Sequence, residues 1–153
     1  MRIADSLEVD YPIRQVWDLL QQPQVFLSAM PGVQSWEAVD DSTFDTLVAQ
    51  RVGPFRVQFQ VRMTLDEIDP PRRLVASGHG RESAGSMLRV PSAVLELEEL
   101  AGDRTRLSFV IDFSLTGKLG SLGSVVVRRK ASEMSREFAS NLEAAARGTA
   151  SPD

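Results

Sequence analysis

The sequence has no cysteine and one histidine, His79, in 153 residues. Without cysteine there is no disulfide, thiolate zinc site, iron–sulfur cluster or cysteine nucleophile. A single histidine excludes every motif that binds a metal through paired histidines. The acidic groups Asp66, Glu67, Asp69 and Glu96, Glu98, Glu99 therefore lack the partners of a transition-metal site, and no metal or cofactor is expected. Long apolar runs are also missing: none approaches the roughly 18–20 residues of a membrane span. Met1–Asp5 meets a charge too early for a signal peptide. Basic residues are outnumbered, 17 against 21, which gives a net charge of −4 and argues against nucleic-acid binding through a broad basic face. These absences point to a soluble, cytoplasmic protein with little catalytic equipment.

What is present is pattern. Residues 2–10 alternate loosely, with Ile3, Leu7 and Val9 apolar, and predict a first strand. Tyr11-Pro12 then changes the period, and Ile13, Val16, Trp17 and Leu20 follow at helical offsets. Pro23 predicts a second short helix, stopped at Met30-Pro31-Gly32. From Val33 to Thr116 the signals are almost all β. Trp36–Val39 and Thr43–Val52 flank the turn Asp40-Asp41-Ser42, and Gly53-Pro54 makes the next break.

The cleanest alternation follows, with Phe55, Val57, Phe59, Val61, Met63 and Leu65 on one side. Six apolar residues in strict alternation specify a strand with one buried face, because a one-residue slip would expose them all. Leu74–Gly80 and Met87–Leu100 are further strands, and Pro91 in the second predicts a bulge or an edge. Leu107, Phe109, Ile111, Phe113 and Leu115 repeat the one-sided pattern. From Lys118 apolar residues recur every three or four positions through Leu142, which predicts some 25 residues of helix, about 38 Å long. About seven antiparallel strands curled around one long amphipathic helix give an α+β class. The expected organisation is one domain over 1–147 and a short flexible tail over 148–153.

Several segments carry a resemblance to a known family. They are Pro12-Ile13-Arg14-Gln15-Val16-Trp17-Asp18-Leu19-Leu20, Met30-Pro31-Gly32-Val33, Val52-Gly53-Pro54-Phe55 and Asp69-Pro70-Pro71-Arg72-Arg73-Leu74. Thr116-Gly117-Lys118-Leu119-Gly120-Ser121-Leu122-Gly123 and Phe138-Ala139-Ser140-Asn141-Leu142 complete the set. In this order they resemble the START-like, helix-grip (SRPBCC) superfamily, and within it the carbon monoxide dehydrogenase CoxG family. The resemblance implies a curved sheet around the long helix, two short helices after the first strand, and a deep apolar cavity between sheet and long helix. It also implies ligands such as lipids or isoprenoid quinones, and a dehydrogenase complex or its maturation factors as protein partner. Longer relatives carry a C-terminal extension thought to contact the membrane; here only a few polar residues follow the helix. The expected location is cytoplasmic, with at most peripheral contact at the inner face of the membrane.

Candidate wall residues follow from the alternation: Phe55, Val57, Phe59, Val61 and Met63, then Leu107, Phe109, Ile111 and Phe113. Phe26, Met30, Met134 and Phe138 would close the space from the helices. Each of these residues equally suits a plain core. His79 shares parity with Ser77 and Arg81, opposite Leu74 and Ala76, so it is expected at the surface. Gly117, Gly120 and Gly123 with Lys118 do not make a phosphate loop, because Asp112 and Leu119 stand where the motif needs glycine and Ser/Thr. They are expected to let the helix start lie close to the sheet, as a mobile first turn gating the cavity.

Arg128-Arg129-Lys130 is the densest basic run, either a solvated face or a membrane or partner contact. No catalytic residue is singled out. The function expected is non-enzymatic binding of an apolar ligand. Two alternatives stand beside it: a polyketide cyclase- or hydrolase-type enzyme on the same fold, and a surface adaptor for maturation or membrane recruitment of a molybdenum dehydrogenase.

Overall fold

The computed structural model describes the backbone of residues 1–150 and the side chains of residues 1–148. Its strands are β1 (Arg2–Val9), β2 (Val33–Ala38), β3 (Thr43–Val52), β4 (Phe55–Asp69), β5 (Arg73–Glu82), β6 (Met87–Leu100) and β7 (Arg104–Thr116). They form one antiparallel sheet in the order β1-β7-β6-β5-β4-β3-β2. Hairpins join β2 through β7 in succession, and β1 pairs with the far side of β7. Helices α1 (Ile13–Leu20) and α2 (Pro23–Ala29) fill the connection from β1 to β2, and α3 (Ser124–Ala150) crosses one face of the sheet. This is the α+β wrap that the alternation and the long helical stripe predict, in the helix-grip arrangement that the resemblance implies.

Local chemistry sets the short helices. Pro12 caps α1 in an extended conformation, which its ring already prefers, and Val16, Trp17, Leu19 and Leu20 form the buried face. Pro23 occupies the first turn of α2, where a missing N–H costs nothing. Beyond Met30 the chain turns through Gly32 at φ +83°, where a Cβ would run into the carbonyl oxygen of Ala49. Two side chains then tie the short helices to α3, as Gln15 Nε2 donates to Ala146 O at 3.2 Å and Asn141 Nδ2 to Ala29 O at 3.0 Å, and Gln50 of β3 holds the turn after α2 through Nε2 to Pro31 O at 2.9 Å.

Bulges curl the sheet. Asp66 is the extra residue between the pairs Leu65↔Ala76 and Glu67↔Val75. Across the centre, Val90 and Pro91 oppose the single residue Phe113, because Arg89 pairs with Ser114 and Ser92 with Asp112. Register also shifts on the other side of β6, between Ala76↔Ala93 and Gly78↔Val90. Since β6 is an interior strand, Pro91 marks a bulge and not an edge. Its missing N–H falls where the ladder is already broken, and the local twist increases.

The long helix departs from expectation at both ends. Residues 118–123 do not belong to it. Gly117 at φ +81° and Gly123 at φ +91° bracket a separate single turn of 3-10 helix at Gly120–Leu122. Only two of the three glycines lie tight. A Cβ on Gly117 would sit 2.9 Å from Ser86 Cα, and one on Gly120 would meet the Leu115 carbonyl, whereas nothing lies within 4 Å of that position on Gly123. At the other end α3 runs to Ala150, taking in the first three residues of the expected tail. Residues 151–153 of that segment lie outside the described residues. The helix is 27 residues long, about 40 Å.

The core divides into two clusters. The larger joins α1, α2, Leu95 and Leu97 of β6, Leu107 and Phe109 of β7, and Phe138, Leu142 and Ala146 of α3. The smaller gathers Val52, Phe59 and Leu119 with Phe55, Val57, Val61, Leu88, Leu115 and Leu122 around the β3–β4 tip. Leu27, Leu107, Leu119 and Leu142 are fully buried, each worth about 1.5–3 kcal/mol over an exposed position.

Candidate functional site

The site is built on the sheet face that α3 covers. Phe55, Val57, Phe59, Val61 and Met63 all point to that face from β4, as do Phe109, Ile111 and Phe113 from β7, following the alternation of burial along each strand. Phe138 on α3 meets Phe26 of α2 at 5.6 Å between ring centroids and Phe109 at 5.9 Å, both edge to face. Phe26, Met30, Phe109 and Phe138 therefore belong to the larger cluster. Phe55, Val57, Phe59 and Val61 belong to the smaller one. Four predicted wall residues, Met63, Ile111, Phe113 and Met134, join neither.

By register Met63, Gly78 and Val90 lie on one transverse row facing Phe113, Ile111 lies on the adjoining row opposite Ala93, and Met134 is on α3. On β7, Ile111 and Phe113 separate Phe109 of one cluster from Leu115 of the other. On the strands beside it, Met63 pairs with Gly78 and Gly78 with Val90. The middle strand thus offers no side chain at the row, since β5 presents Gly78 and Gly80 there. Met63, Val90, Ile111 and Met134 remain only half-buried under the helix. The signal for the glycines was available in the sequence, because a glycine inside a strand pattern marks a close approach or a gap. A separate void of about 40 Å³ lies beside the row, between Phe26 and Leu27 of α2 and Phe44, Met63 and Leu74 of the sheet.

Polar groups on this face are spent locally. Thr46 Oγ1 donates to Val61 O at 3.0 Å, and Ser135 Oγ donates to Ala131 O at 3.0 Å. Asp5 reaches Arg136 only at 3.9 Å, on the rim. No group of three or more metal-ligating side chains occurs among the described residues. The enclosed chemistry is that of contact and exclusion of water.

One end of this space is closed by the β3–β4 tip. The Cβ position of Gly53 lies 3.5 Å from Leu122 and 3.7 Å from Val126, and Lys118 Nζ stands 4.3 Å from the centre of the Phe55 ring. Val125 beside it is 68% exposed. Residues 118–123, the lid over this tip, are held by a buried joint: Ser86 Oγ accepts the N–H of Leu119 at 3.2 Å. Glu82 accepts the N–H groups of Ser86 at 2.8 Å and Ala84 at 3.0 Å, and these bonds hold its carboxyl below the usual glutamate range.

The basic run on α3 does not form one patch. Successive helical residues are about 100° apart, so Arg128 turns to β1 and donates to Arg2 O at 2.8 Å, Arg129 faces outward, and Lys130 is half-buried.

A larger concavity than the void beside Met63 lies elsewhere. An open trough of about 1550 Å³ crosses the opposite face of the sheet. Arg62, His79, Arg81 and Arg89 line it, and of the thirteen candidate wall residues only Val61 and Phe113 reach it. His79 is exposed there, as its parity requires. Arg62 binds Asp45 through two bonds of 2.7 and 2.9 Å, and this pairing holds the Asp45 carboxyl below its usual range. Nothing in the local alternation announces the trough, because its lining comes from β2 through β7 and from Met1 beside β1.

Solved structures share the fold. A conserved protein from Geobacillus kaustophilus superposes with a TM-score of 0.91 at 15% identity, covering 97% of each chain. A START superfamily protein from Mycobacterium smegmatis gives 0.73 at 12% identity, over 97% of this chain and 98% of the other. The Zhui aromatase/cyclase from a Streptomyces species gives 0.62 at 16% identity, over 97% and 92%. No curated protein sequence matches the chain. The sequence model for CoxG of carbon monoxide dehydrogenase matches residues 6–147, nearly the whole described chain. Together with the helix-grip fold around an interrupted apolar core, this match places the chain in the carbon monoxide dehydrogenase CoxG family.

Proposed function

We propose that this protein is a non-enzymatic carrier that holds an apolar molecule, a lipid or an isoprenoid quinone, between α3 and the covered face of the sheet. The observation that carries the reading is the break in the apolar core between the two clusters, along the row of Met63, Gly78 and Val90 and the adjoining Ile111, with Met134 of α3 also outside both clusters. A continuous core is the economical way to stabilise a domain of this size. A gap lined by half-buried apolar side chains leaves area that a guest covers. Methionine at two of its positions suits guests of varied shape.

The magnitude is sufficient without a charged anchor. Burying about ten methylene-sized groups is worth about 8 kcal/mol, on the order of micromolar affinity before ordering costs. Local bonding of Thr46 and Ser135 leaves no pair of polar groups converging on the guest, which favours carriage over a cyclase or hydrolase reaction. Among the described residues no helix is long and apolar enough to cross a membrane, so exchange with a bilayer would be peripheral. The tip around Gly53, Leu122 and Val125 is the natural mouth.

Mass spectrometry of solvent-extracted protein tests the reading, together with quenching of Trp17 and Trp36 fluorescence by decylubiquinone. The expected result is a co-purified apolar molecule or saturable quenching in the micromolar range. Protein that yields no extractable molecule and is not quenched by quinone or lipid would overturn it.

A further inference from the structure

We propose that the guest of the covered face is a single-chain amphiphile with an anionic head, and that Lys118 on the lid is the residue that selects it. This rests on the carrier reading and narrows its guest. The tail side of the argument comes from the smaller cluster. Only Val52, Phe59 and Leu119 are buried in it, whereas Phe55, Val57, Val61, Leu88, Leu115 and Leu122 remain half-buried. The larger cluster has the reverse balance, with most of its members buried. Apolar surface is therefore left uncovered toward the lid. Along β4 the same face runs from Phe55 to Met63 of the open row, about 27 Å at the usual rise of a strand, a length that a long acyl chain spans.

The head side is a cation held in place. Gly117 packs so tightly on the β5–β6 turn that a Cβ would come within 2.9 Å of Ser86 Cα. Leu119 donates its N–H to Ser86 Oγ, and Ser121 Oγ donates to Lys118 O at 2.6 Å. The backbone of Lys118 is thus fixed on both sides, and its ammonium stands 4.3 Å from the centre of the Phe55 ring, at the outer end of the half-buried face. Among the described residues Lys118 makes no ion pair. Glu82 stands close by, but its carboxyl is held below its usual range first by the N–H groups of Ser86 and Ala84, which take its two oxygens, and last by the charge of Lys118. Residues 46–65 and 113–132, which build the tip and the lid, contain no carboxylate side chain, in a chain that has 21. Arg51 and Arg56 face each other across the strands on the uncovered side of the same tip, a like-charge pair that destabilises a sheet and adds to the positive field. A neutral guest is indifferent to that field, whereas a carboxylate or phosphate head is drawn to it. Apolar contact supplies the affinity and Lys118 the choice among guests.

The test uses the full chain and cis-parinaric acid, whose fluorescence rises in an apolar site, compared at neutral pH with its methyl ester. Saturable binding is expected for both, tighter for the acid by about three- to tenfold, with a preference that shrinks as salt is added. Lys118→Met should abolish the preference and Lys118→Arg should keep it, as should Arg129→Met on the outward side of α3. The preference is a ratio taken on each protein, so partial unfolding of a variant does not imitate its loss. Equal binding of acid and ester, or a preference that survives Lys118→Met, overturns the proposal and leaves the carrier reading standing. Failure of both probes to bind also overturns it, and quenching by decylubiquinone then decides whether the carrier reading falls with it. Phosphatidylglycerol vesicles that retain the protein through Lys118, while the free acid does not bind, would overturn it too, because the anionic head would then belong to a bilayer.

Discussion

Replacing Ser86 by alanine removes the acceptor of one buried hydrogen bond, together with a weaker hydroxyl interaction with the Glu82 carboxylate. The serine is fully buried and Leu119 is 1% exposed. In the unaltered chain the Leu119 N–H finds Ser86 Oγ at 3.2 Å. The substitution changes volume little, so the main loss is an acceptor in a place water does not reach. A buried amide left without a partner costs about 1–3 kcal/mol. For a domain of this length each kcal/mol moves the melting temperature by about 2–4 °C, so a fall of roughly 2–12 °C is expected. Glu82 bonds the backbone N–H groups of Ser86 and Ala84, so that part of the joint survives, and the damage stays on the lid side. Urea unfolding gives the stability, and hydrogen exchange at Leu119 gives the location. Ser83→Ala, at an exposed neighbouring position, is the control. A loss below about 0.5 kcal/mol with unchanged exchange at Leu119 would refute the argument, because the lid would then be held by packing alone.

Phe138→Ala should cost about 3–5 kcal/mol by urea unfolding, and a double-mutant cycle with Phe26→Ala should show about 0.5–1.5 kcal/mol of coupling from their edge-to-face contact; additive losses would mean the rings do not support each other. Met134→Trp separates an open row from a filled core. In an open row it should block quinone quenching while leaving stability nearly unchanged, whereas in a filled core it would cost about 1–3 kcal/mol, and urea unfolding reads the difference. The pH dependence follows from depressed carboxyls. Glu82 lies below its ordinary 4.5 because of amide bonds, and Asp45 and Asp112 lie below 3.8 because Arg62 and Arg2 bond them. Their stabilisation is therefore complete above those ordinary values and is lost as pH falls through the lower folded-state values. Glu82→Gln should flatten that acid limb, measured by melting temperature from pH 5 downward, and an unchanged limb would remove Glu82 from the account.

The elements that were legible in the sequence are those with a strong local period or a local stop. The β4 alternation from Phe55 to Leu65, the prolines opening α1 and α2, and the Met30-Pro31-Gly32 stop all have their reason within a few residues. The start of α3 was misread from Lys118 because Leu119, Leu122 and Val126 continue a helical spacing. The backbone at Gly117 and Gly123 breaks that spacing through positive φ, which apolar periodicity does not register. The β5–β6 and β6–β7 bulges were legible only as a proline needing an excuse, since a bulge is a relation between two strands. The covered face could be assigned residue by residue, but the break in its core depends on which side chains touch across β4, β5, β6 and β7. Arg62, His79 and Arg89 are distant in sequence, and only register makes them neighbours.

The pairing of β1 with β7 has a consequence for synthesis. Arg2 lies opposite Asp112 and Val9 opposite Thr105, so β1 waits for a partner made about a hundred residues later. The helix that covers the apolar face follows later still, with Leu142 and Ala146 of the larger cluster near its end. Hairpins from β2 to β7 can form as they emerge, yet each adds to an apolar surface with no cover. Long-range closure of this kind slows folding, and uncovered apolar faces invite association. The nascent domain thus spends most of its translation as a one-sided sheet, and its solubility in that interval rests on whatever shields that face before α3 arrives.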